Sequence, residues 1–443
     1  MASFPNRETL FGWAWRLTVL SLPWQTRYII PAAEHVAVWR EQWNYAIYAS
    51  WIPLLATVFL GLSIKHPKQP ITSTGMIGWI TVAVLVIVSF VSTFPAGTFQ
   101  WWIQVAWLSA FCAVLIRNKV DGRALAAWFV VSLLPHALLA IEQIVSQRVF
   151  GSTLFGIASQ LPETRGVAVV EAGGARFLRA YGGFPYPNIL GGWLAFGIPA
   201  AIWLASCDPQ ASASIRKHPH GRVCMSLTDA YRCIQMHAVI FWSLVSALLT
   251  TALVLSHSRS AWIAVAVLLI VFGWRYRSTL RVTRYALPSS LALCALLATL
   301  IWQWPIIVTR TTIEGRLEER SVSERVSGLN DGLGAFIVNP VFGVGRNAYG
   351  WSFDGYALPH NVPLLALAET GIIGAIGHVI LLLIFLPRLD RKRLWLLGPS
   401  LLIIALLDHY PWSYWPGQAL VAFVILFITL PSRESVDIRH DSV

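Results

Sequence analysis

Long apolar segments recur along the whole chain, and they constrain its fold more than any other feature. A helix needs about 20 mostly apolar residues to cross the hydrocarbon core of a bilayer. Twelve segments approach that length, at roughly 8–24, 43–62, 75–93, 98–116, 124–145, 188–206, 236–256, 259–274, 285–303, 361–387, 394–409 and 413–430. The sequence therefore predicts an all-α, polytopic membrane protein with about twelve transmembrane helices, forming a single integral membrane domain over residues 1–443.

The distribution of charge orients these segments. Charged residues make up only 12% of the chain, whereas a soluble domain contains about 25%. The net charge of +12 does not indicate a nucleic-acid ligand, because the basic residues lie in short loops between apolar segments. If the N-terminus is cytoplasmic, the inside segments carry 20 Lys and Arg and the outside segments carry 12. Since positive charge favours the cytoplasmic side, we predict that both termini lie inside.

Two long outward segments, 146–187 and 304–360, interrupt the pattern of short loops. Long connections in compact domains are often functional, so we expect these two to form the active-site face. Within the second, apolar residues recur every three or four positions over about 319–337, which is typical of an amphipathic helix. This predicts a helical periplasmic segment between the ninth and tenth spans.

His360 stands at the outer mouth of the tenth span, directly before Asn361. A neutral histidine in this place can accept a proton from a hydroxyl group. Its position fits equally well an interfacial histidine that caps or hydrogen-bonds a helix end. Both interpretations remain open at this point.

Arg259 lies in the tight hairpin HSRSAW between the seventh and eighth spans. A charge so close to the hydrocarbon requires a partner, and such residues are functional hypotheses by default. Its planar guanidinium suits a phosphate group, while a structural ion pair with Glu369 or Asp408 is the alternative. A nucleophilic role for Ser258 is disfavoured, because no Gly-x-Ser-x-Gly elbow surrounds it.

Arg176 and Arg179 precede Asn188 at the end of the first long outward loop. Asn188 is placed to cap the following span, where open N–H groups attract an anion. No His, Cys or Asp pattern has metal-ligand spacing, and no P-loop or Rossmann fingerprint is present, so we predict no metal and no cofactor. Outward arginines with one histidine suit a diphosphate-bearing substrate, because arginine stabilises the charge of a leaving diphosphate.

Four motifs occur in a fixed order along the chain: GGFPYPNILGG at 182–192, SRSAW at 258–262, NPVFGVG at 339–345 and HNVPLLALAETG at 360–371. As an ordered set they resemble the segments of the O-antigen ligase family of bacterial membrane glycosyltransferases. The resemblance extends over most of the chain, from the first long outward loop to the penultimate spans. It implies a GT-C-like fold.

The resemblance also implies an activity. A glycan would pass from undecaprenyl diphosphate to an acceptor hydroxyl, on lipid A core or a similar acceptor, at the periplasmic face of the bacterial inner membrane. The transfer would invert the anomeric centre and need no metal, as a step in lipopolysaccharide biosynthesis. The catalytic base of the family corresponds to His360. The diphosphate-binding candidates are Arg259, Arg179, Arg176, Arg325 and Arg316, and the supporting residues are Asn188, Ser258, Asn361 and Glu369.

The acceptor stays open, because members of the family differ in what receives the glycan. An O-antigen polymerase or a protein O-glycosyltransferase would share every motif quoted above. A flippase for lipid-linked glycans is an alternative from another class of protein. A transporter should place ionisable residues near the bilayer midplane, whereas most outward arginines of this chain gather at one face.

Overall fold

The computed structural model describes residues 5–31, 44–67, 73–90, 95–206, 225–276, 286–312, 316–349 and 358–431. The first half of the chain contains α1 (Arg7–Ser21), β1 (Arg27–Ile30), β2 (Tyr45–Tyr48), α2 (Trp51–Ser63), α3 (Ser73–Ser89), α4 (Pro95–Arg117), α5 (Gly122–Ser146), β3 (Val169–Ala172), β4 (Ala175–Leu178) and α6 (Pro187–Ser206). Strands β1 and β2 form one antiparallel hairpin, and β3 and β4 form another.

The described residues of the second half form helices joined by turns and contain no strand. It contains α7 (Met225–Leu255), α8 (Arg259–Tyr276), α9 (Ala286–Trp302), α10 (Trp304–Thr312), α11 (Arg316–Val338), α12 (Val362–Phe385), α13 (Arg391–Leu407), α14 (Tyr410–Ser413) and α15 (Trp415–Thr429). A short 3-10 turn, Leu386–Arg388, follows α12. The predicted outward segment 304–360 includes 313–315 and 350–357, which lie outside the described residues.

Helices within the described residues account for each of the twelve apolar segments. Segments one to nine overlap α1 to α9, and the last three overlap α12, α13 and α15. Five helices are long and apolar enough to cross a membrane, and the number is six if α9 and α10–α11, bent by 83°, count as one span. The prediction of a helical membrane protein is confirmed, while the count of twelve spans stays a prediction. The two short β-hairpins were not predicted.

Helix α6 occupies the centre of the bundle and carries residues of the candidate site at its start. Its indole at Trp193 is fully buried and stacks on Phe129 at a ring distance of 5.4 Å. Phe423 of α15 closes the same aromatic cluster, with its ring 5.5 Å from that of Trp193. Gly197 lets α6 approach α5 closely, because an added Cβ there would lie 2.5 Å from Leu133 Cδ1. Tight packing on several sides therefore fixes α6 in place.

Helix α11 confirms the predicted helix at about 319–337, but its packing differs from that of an ordinary amphipathic helix. The apolar residues Val326, Leu329 and Leu333 are exposed. The buried positions of this helix are Glu318, Gly328, Gly332 and Ala335. Small residues allow close helix approach, and a Cβ added at Gly332 would lie 2.8 Å from Pro359 Cγ. This contact fixes α11 against the segment that carries His360.

Candidate functional site

A histidine and a buried carboxylate form the first part of the candidate site. Nδ1 of His360 lies 3.5 Å from Oδ1 of Asp408, and the side chains are 30% and 1% exposed. The cap of α12 is Asn361 and not His360, because Asn361 Oδ1 accepts a hydrogen bond of 2.9 Å from the Leu364 N–H. The interpretation of His360 as a helix cap is therefore wrong, and its ring faces a carboxylate instead.

Asp408 follows the last residue of α13 and is held from two sides. Its Oδ2 accepts a hydrogen bond of 2.6 Å from Asn188 Nδ2, and its Oδ1 accepts one of 3.1 Å from the backbone N–H of His409. The predicted capping role of Asn188 is wrong, because α6 already begins at Pro187.

His409 is the third member of this group. Its ring lies 5.0 Å from that of His360, and its Nδ1 is 2.6 Å from Ser413 Oγ. Ligand atoms of His360, Asp408 and His409 lie within 4.8 Å of one another, an arrangement that can hold a metal ion. No metal-ligand spacing was recognisable in the sequence, because His360 is distant from the other two residues along the chain.

Arginines from three segments meet at the turn between α7 and α8. Arg259 is the first residue of α8. Arg179 Nε donates to the carbonyl of Ser256 at 3.1 Å, and Arg310 Nη2 donates to the carbonyl of His257 at 3.0 Å. Burial and the charge of Arg310 lower the pKa of Arg179 to about 9, and burial with both arginine charges lowers the pKa of His257 to about 3. The cluster is therefore strongly cationic around a neutral imidazole.

One carboxylate, Glu318 at the start of α11, pairs with two of these arginines. Arg259 Nη1 lies 3.3 Å from Glu318 Oε2, and Arg310 Nη1 lies 2.5 Å from Glu318 Oε1. The partners considered from the sequence, Glu369 and Asp408, have other contacts. Arg259 therefore has a structural ion pair, but its partner lies in the long loop rather than in a later span.

The remaining candidate arginines separate into two groups. Arg325 is half-buried on α11, and its positive charge contributes to the lowered pKa of Arg179. Arg316 is 83% exposed and lies 3.4 Å from Glu171 of β3. Arg176 donates at 3.1 Å to a backbone carbonyl of the first long loop. Arg325 thus belongs to the cluster, while Arg316 and Arg176 lie outside it at the loop surface.

The first turns of α6 connect the histidine–carboxylate pair to the arginine cluster. A Cβ added at Gly191 would lie 2.8 Å from the Cβ of Ser258, which is buried in the α7–α8 turn. A Cβ added at Gly192 would collide with the hydroxyl of Tyr410, two residues after Asp408. Asn188, one turn earlier, binds Asp408 directly. One helix start therefore contacts both halves of the candidate site.

Glu369 belongs to a different buried group. Its Oε2 accepts a hydrogen bond of 2.7 Å from Trp412 Nε1. Arg346, fully buried, lies between the indole rings of Trp101 and Trp412 at 4.0 and 3.7 Å. Glu369 is the eighth residue of α12, so about 10 Å of helix axis separates it from the helix start that follows His360. Glu369 therefore does not contact His360, and it supports the Trp412 segment instead.

The fold defines the chain as a polytopic helical membrane protein, and its site combines an arginine cluster with a histidine–carboxylate pair. The family model of O-antigen ligase matches residues 244–379. This match covers the last three of the four motifs, confirms the resemblance there, and supports an O-antigen ligase family assignment with glycan transfer as the general activity. The matched segment includes Arg259 and His360. No curated protein matches the chain.

Sequence reasoning missed four residues of the site: Asp408 as the partner of His360, His409, Arg310 and Glu318. Asp408 and His409 end a predicted span on its outward side, and ionisable residues in such a place are a usable signal. Arg310 and Glu318 lie among other charged residues of the second long loop, where the sequence does not distinguish them.

Proposed function

We propose that this protein transfers a glycan from undecaprenyl diphosphate to an acceptor hydroxyl at the periplasmic face of the bacterial inner membrane. One observation carries the proposal: the histidine–carboxylate pair and the arginine cluster both lie at the start of α6. Asp408, which contacts His360, is bound by Asn188 of α6, and Gly191 of α6 packs against the turn that precedes Arg259. The family match supports glycan transfer in general. Lipid A core or a similar glycolipid is the proposed acceptor.

The proposed step begins with proton transfer to His360. Because Nδ1 faces Asp408, Nε2 is the nitrogen that accepts the proton of the acceptor hydroxyl. The acceptor oxygen attacks the anomeric carbon from the side opposite the diphosphate. As the new C–O bond forms, the bond to the diphosphate breaks, and its electron pair stays on the leaving oxygen. The imidazolium then releases its proton to water.

The arginine cluster is the proposed binding site of the leaving diphosphate. Arg259, Arg179 and Arg325 surround it with positive charge, and arginine binds phosphate oxygens through two parallel hydrogen bonds. Fixed positive charge placed where negative charge develops stabilises the transition state. We therefore propose a reaction that needs no metal ion, although the group around Asp408 can hold one.

The same geometry serves several acceptors. An O-antigen polymerase or a protein O-glycosyltransferase would use the same base and the same diphosphate-binding site. A lipid-linked glycan flippase is the alternative outside enzymes. The contact between His360 and Asp408 favours an enzyme over a flippase, because transport of a diphosphate needs no general base.

The test is glycan transfer by the purified full chain from a lipid-diphosphate-linked glycan to a panel of acceptors. We expect a glycosylated product in the presence of a chelator. The variant His360→Ala should lose roughly 10²–10⁴-fold in initial rate, the usual contribution of a general base. The control His66→Ala removes an exposed histidine bonded to Asn118 and should transfer normally.

Three outcomes contradict the proposal. Full activity of His360→Ala contradicts the role of His360 as the general base. If a chelator abolishes activity and a divalent ion restores it, the proposed metal-free mechanism is wrong. Movement of the donor across liposomes without any glycosylated product favours the flippase.

A further inference from the structure

The ion pair between Arg310 and Glu318 is the most deeply buried charge contact of the arginine cluster. Arg310 Nη1 donates to both carboxylate oxygens of Glu318, at 2.5 and 2.6 Å, and Arg259 Nη1 lies 3.3 Å from the second oxygen. The side chains of Arg310 and Glu318 are only 5% and 2% exposed. A single carboxylate therefore fills the space between two arginines.

This carboxylate leaves the cluster incompletely satisfied. Among the described residues, Arg259 Nη2 and Arg310 Nε are buried and have no hydrogen-bond partner. A buried N–H group without a partner is costly, and Glu318 offers one negative charge to a site where Arg179 and Arg325 add further positive charge. A diphosphate carries more charge and more acceptor oxygens than a carboxylate, so it satisfies this site better.

The place of Glu318 in the chain suits a carboxylate that can be displaced. It is the third residue of α11. The two side chains after it, Glu319 and Arg320, are exposed, whereas Leu317 before it packs against the apolar cluster that includes Val169. The packed face of α11 lies farther along, at Gly328 and Gly332. Once the carboxylate leaves the arginines, the first turn keeps the contact of Leu317 but loses its buried ion pairs. It is then held less firmly than the rest of α11, which keeps its contact with the segment before α12.

We infer that Arg310 is a further ligand of the donor diphosphate, and that the Glu318 carboxylate occupies the diphosphate-binding site until a diphosphate displaces it. The inference rests on the proposed function only for the identity of the donor. Glu318 then acts as an internal competitor, which keeps the buried arginines paired while no donor is bound.

The experiment measures binding of inorganic pyrophosphate to the purified full chain by calorimetry. Removing the competing charge in Glu318→Gln should tighten binding about tenfold, whereas Arg310→Gln should weaken it by about tenfold or more. The control Glu171→Gln removes the same charge from the exposed pair with Arg316, and it should change affinity less than twofold. Unchanged or weaker binding by a folded Glu318→Gln variant overturns the inference.

A second measurement covers the case in which Glu318→Gln does not fold. In the wild-type protein, pyrophosphate should speed hydrogen exchange at the first turn of α11 and leave exchange around Gly332 unchanged. Slower or unchanged exchange at the first turn overturns the inference. Tighter binding of farnesyl diphosphate than of pyrophosphate identifies a lipid-linked source, and equal affinities identify a soluble one. The binding assay contains no glycan or acceptor, so it tests the inference separately from the proposed function. A protein that binds diphosphate in this assay but transfers no glycan in the transfer assay contradicts the proposed function alone.

Discussion

Replacement of Asp408 by asparagine tests whether the buried carboxylate activates His360. The substitution keeps the size of the side chain and an oxygen that can accept the bond from Asn188. It removes the negative charge 3.5 Å from His360 Nδ1. If the new amide donates to Nδ1, the proton of the neutral ring moves to Nε2, which then cannot act as a base.

The distance sets the size of the effect. Two unit charges 3.5 Å apart interact by roughly 4–5 kcal/mol at an effective dielectric constant of about 20. Because His360 is 30% exposed, water screens part of this interaction, and about 2–4 kcal/mol remains. The charge on the imidazole forms only as the proton arrives, so the loss falls on the transition state. We expect kcat to fall roughly 30- to 1000-fold.

The assay is the initial rate of glycan transfer at saturating donor, with thermal unfolding measured on the same preparations. The matched control is Asp390→Asn at the other end of α13, where the carboxylate caps the helix by accepting from the Lys392 and Arg393 N–H groups. Asparagine caps a helix about as well as aspartate, so this variant should stay within twofold of wild type. A rate for a folded Asp408→Asn variant within threefold of wild type would refute the role of the carboxylate.

Two further predictions concern pH and packing. Because burial, with the charges of Arg179 and Arg310, lowers the pKa of His257 to about 3, this ring stays neutral between pH 5 and 8. The log of kcat/KM should therefore show no contribution from protonation of His257 as pH drops, and a slope steeper than one contradicts this. A Cβ at Gly191 would press on the α7–α8 turn, so Gly191→Ala should destabilise by about 1–3 kcal/mol in thermal unfolding and weaken pyrophosphate binding. The control Gly273→Ala meets no atom within 4 Å, and equal effects of the two substitutions would exclude the packing explanation.

The helices could be predicted well from the sequence, because their signal is local. An apolar run of about 20 residues is stable as a helix in hydrocarbon, since every backbone polar group is then bonded within the segment. For this reason a helix overlaps each predicted apolar segment, and α11 appears where the apolar period placed it. The face of α11 that packs was not predictable, because close approach at Gly332 depends on Pro359, which is distant in the chain.

The sequence by itself determined the membrane class of this chain, the family it resembles, and two candidate residues, His360 and Arg259. It did not determine their partners. Asp408 and Glu318 became partners only in the tertiary structure, because burial and distance decide which carboxylate a charged group meets. A chain with 33 basic and 21 acidic residues offers many possible pairs, and only packing around α6 and α11 selects among them.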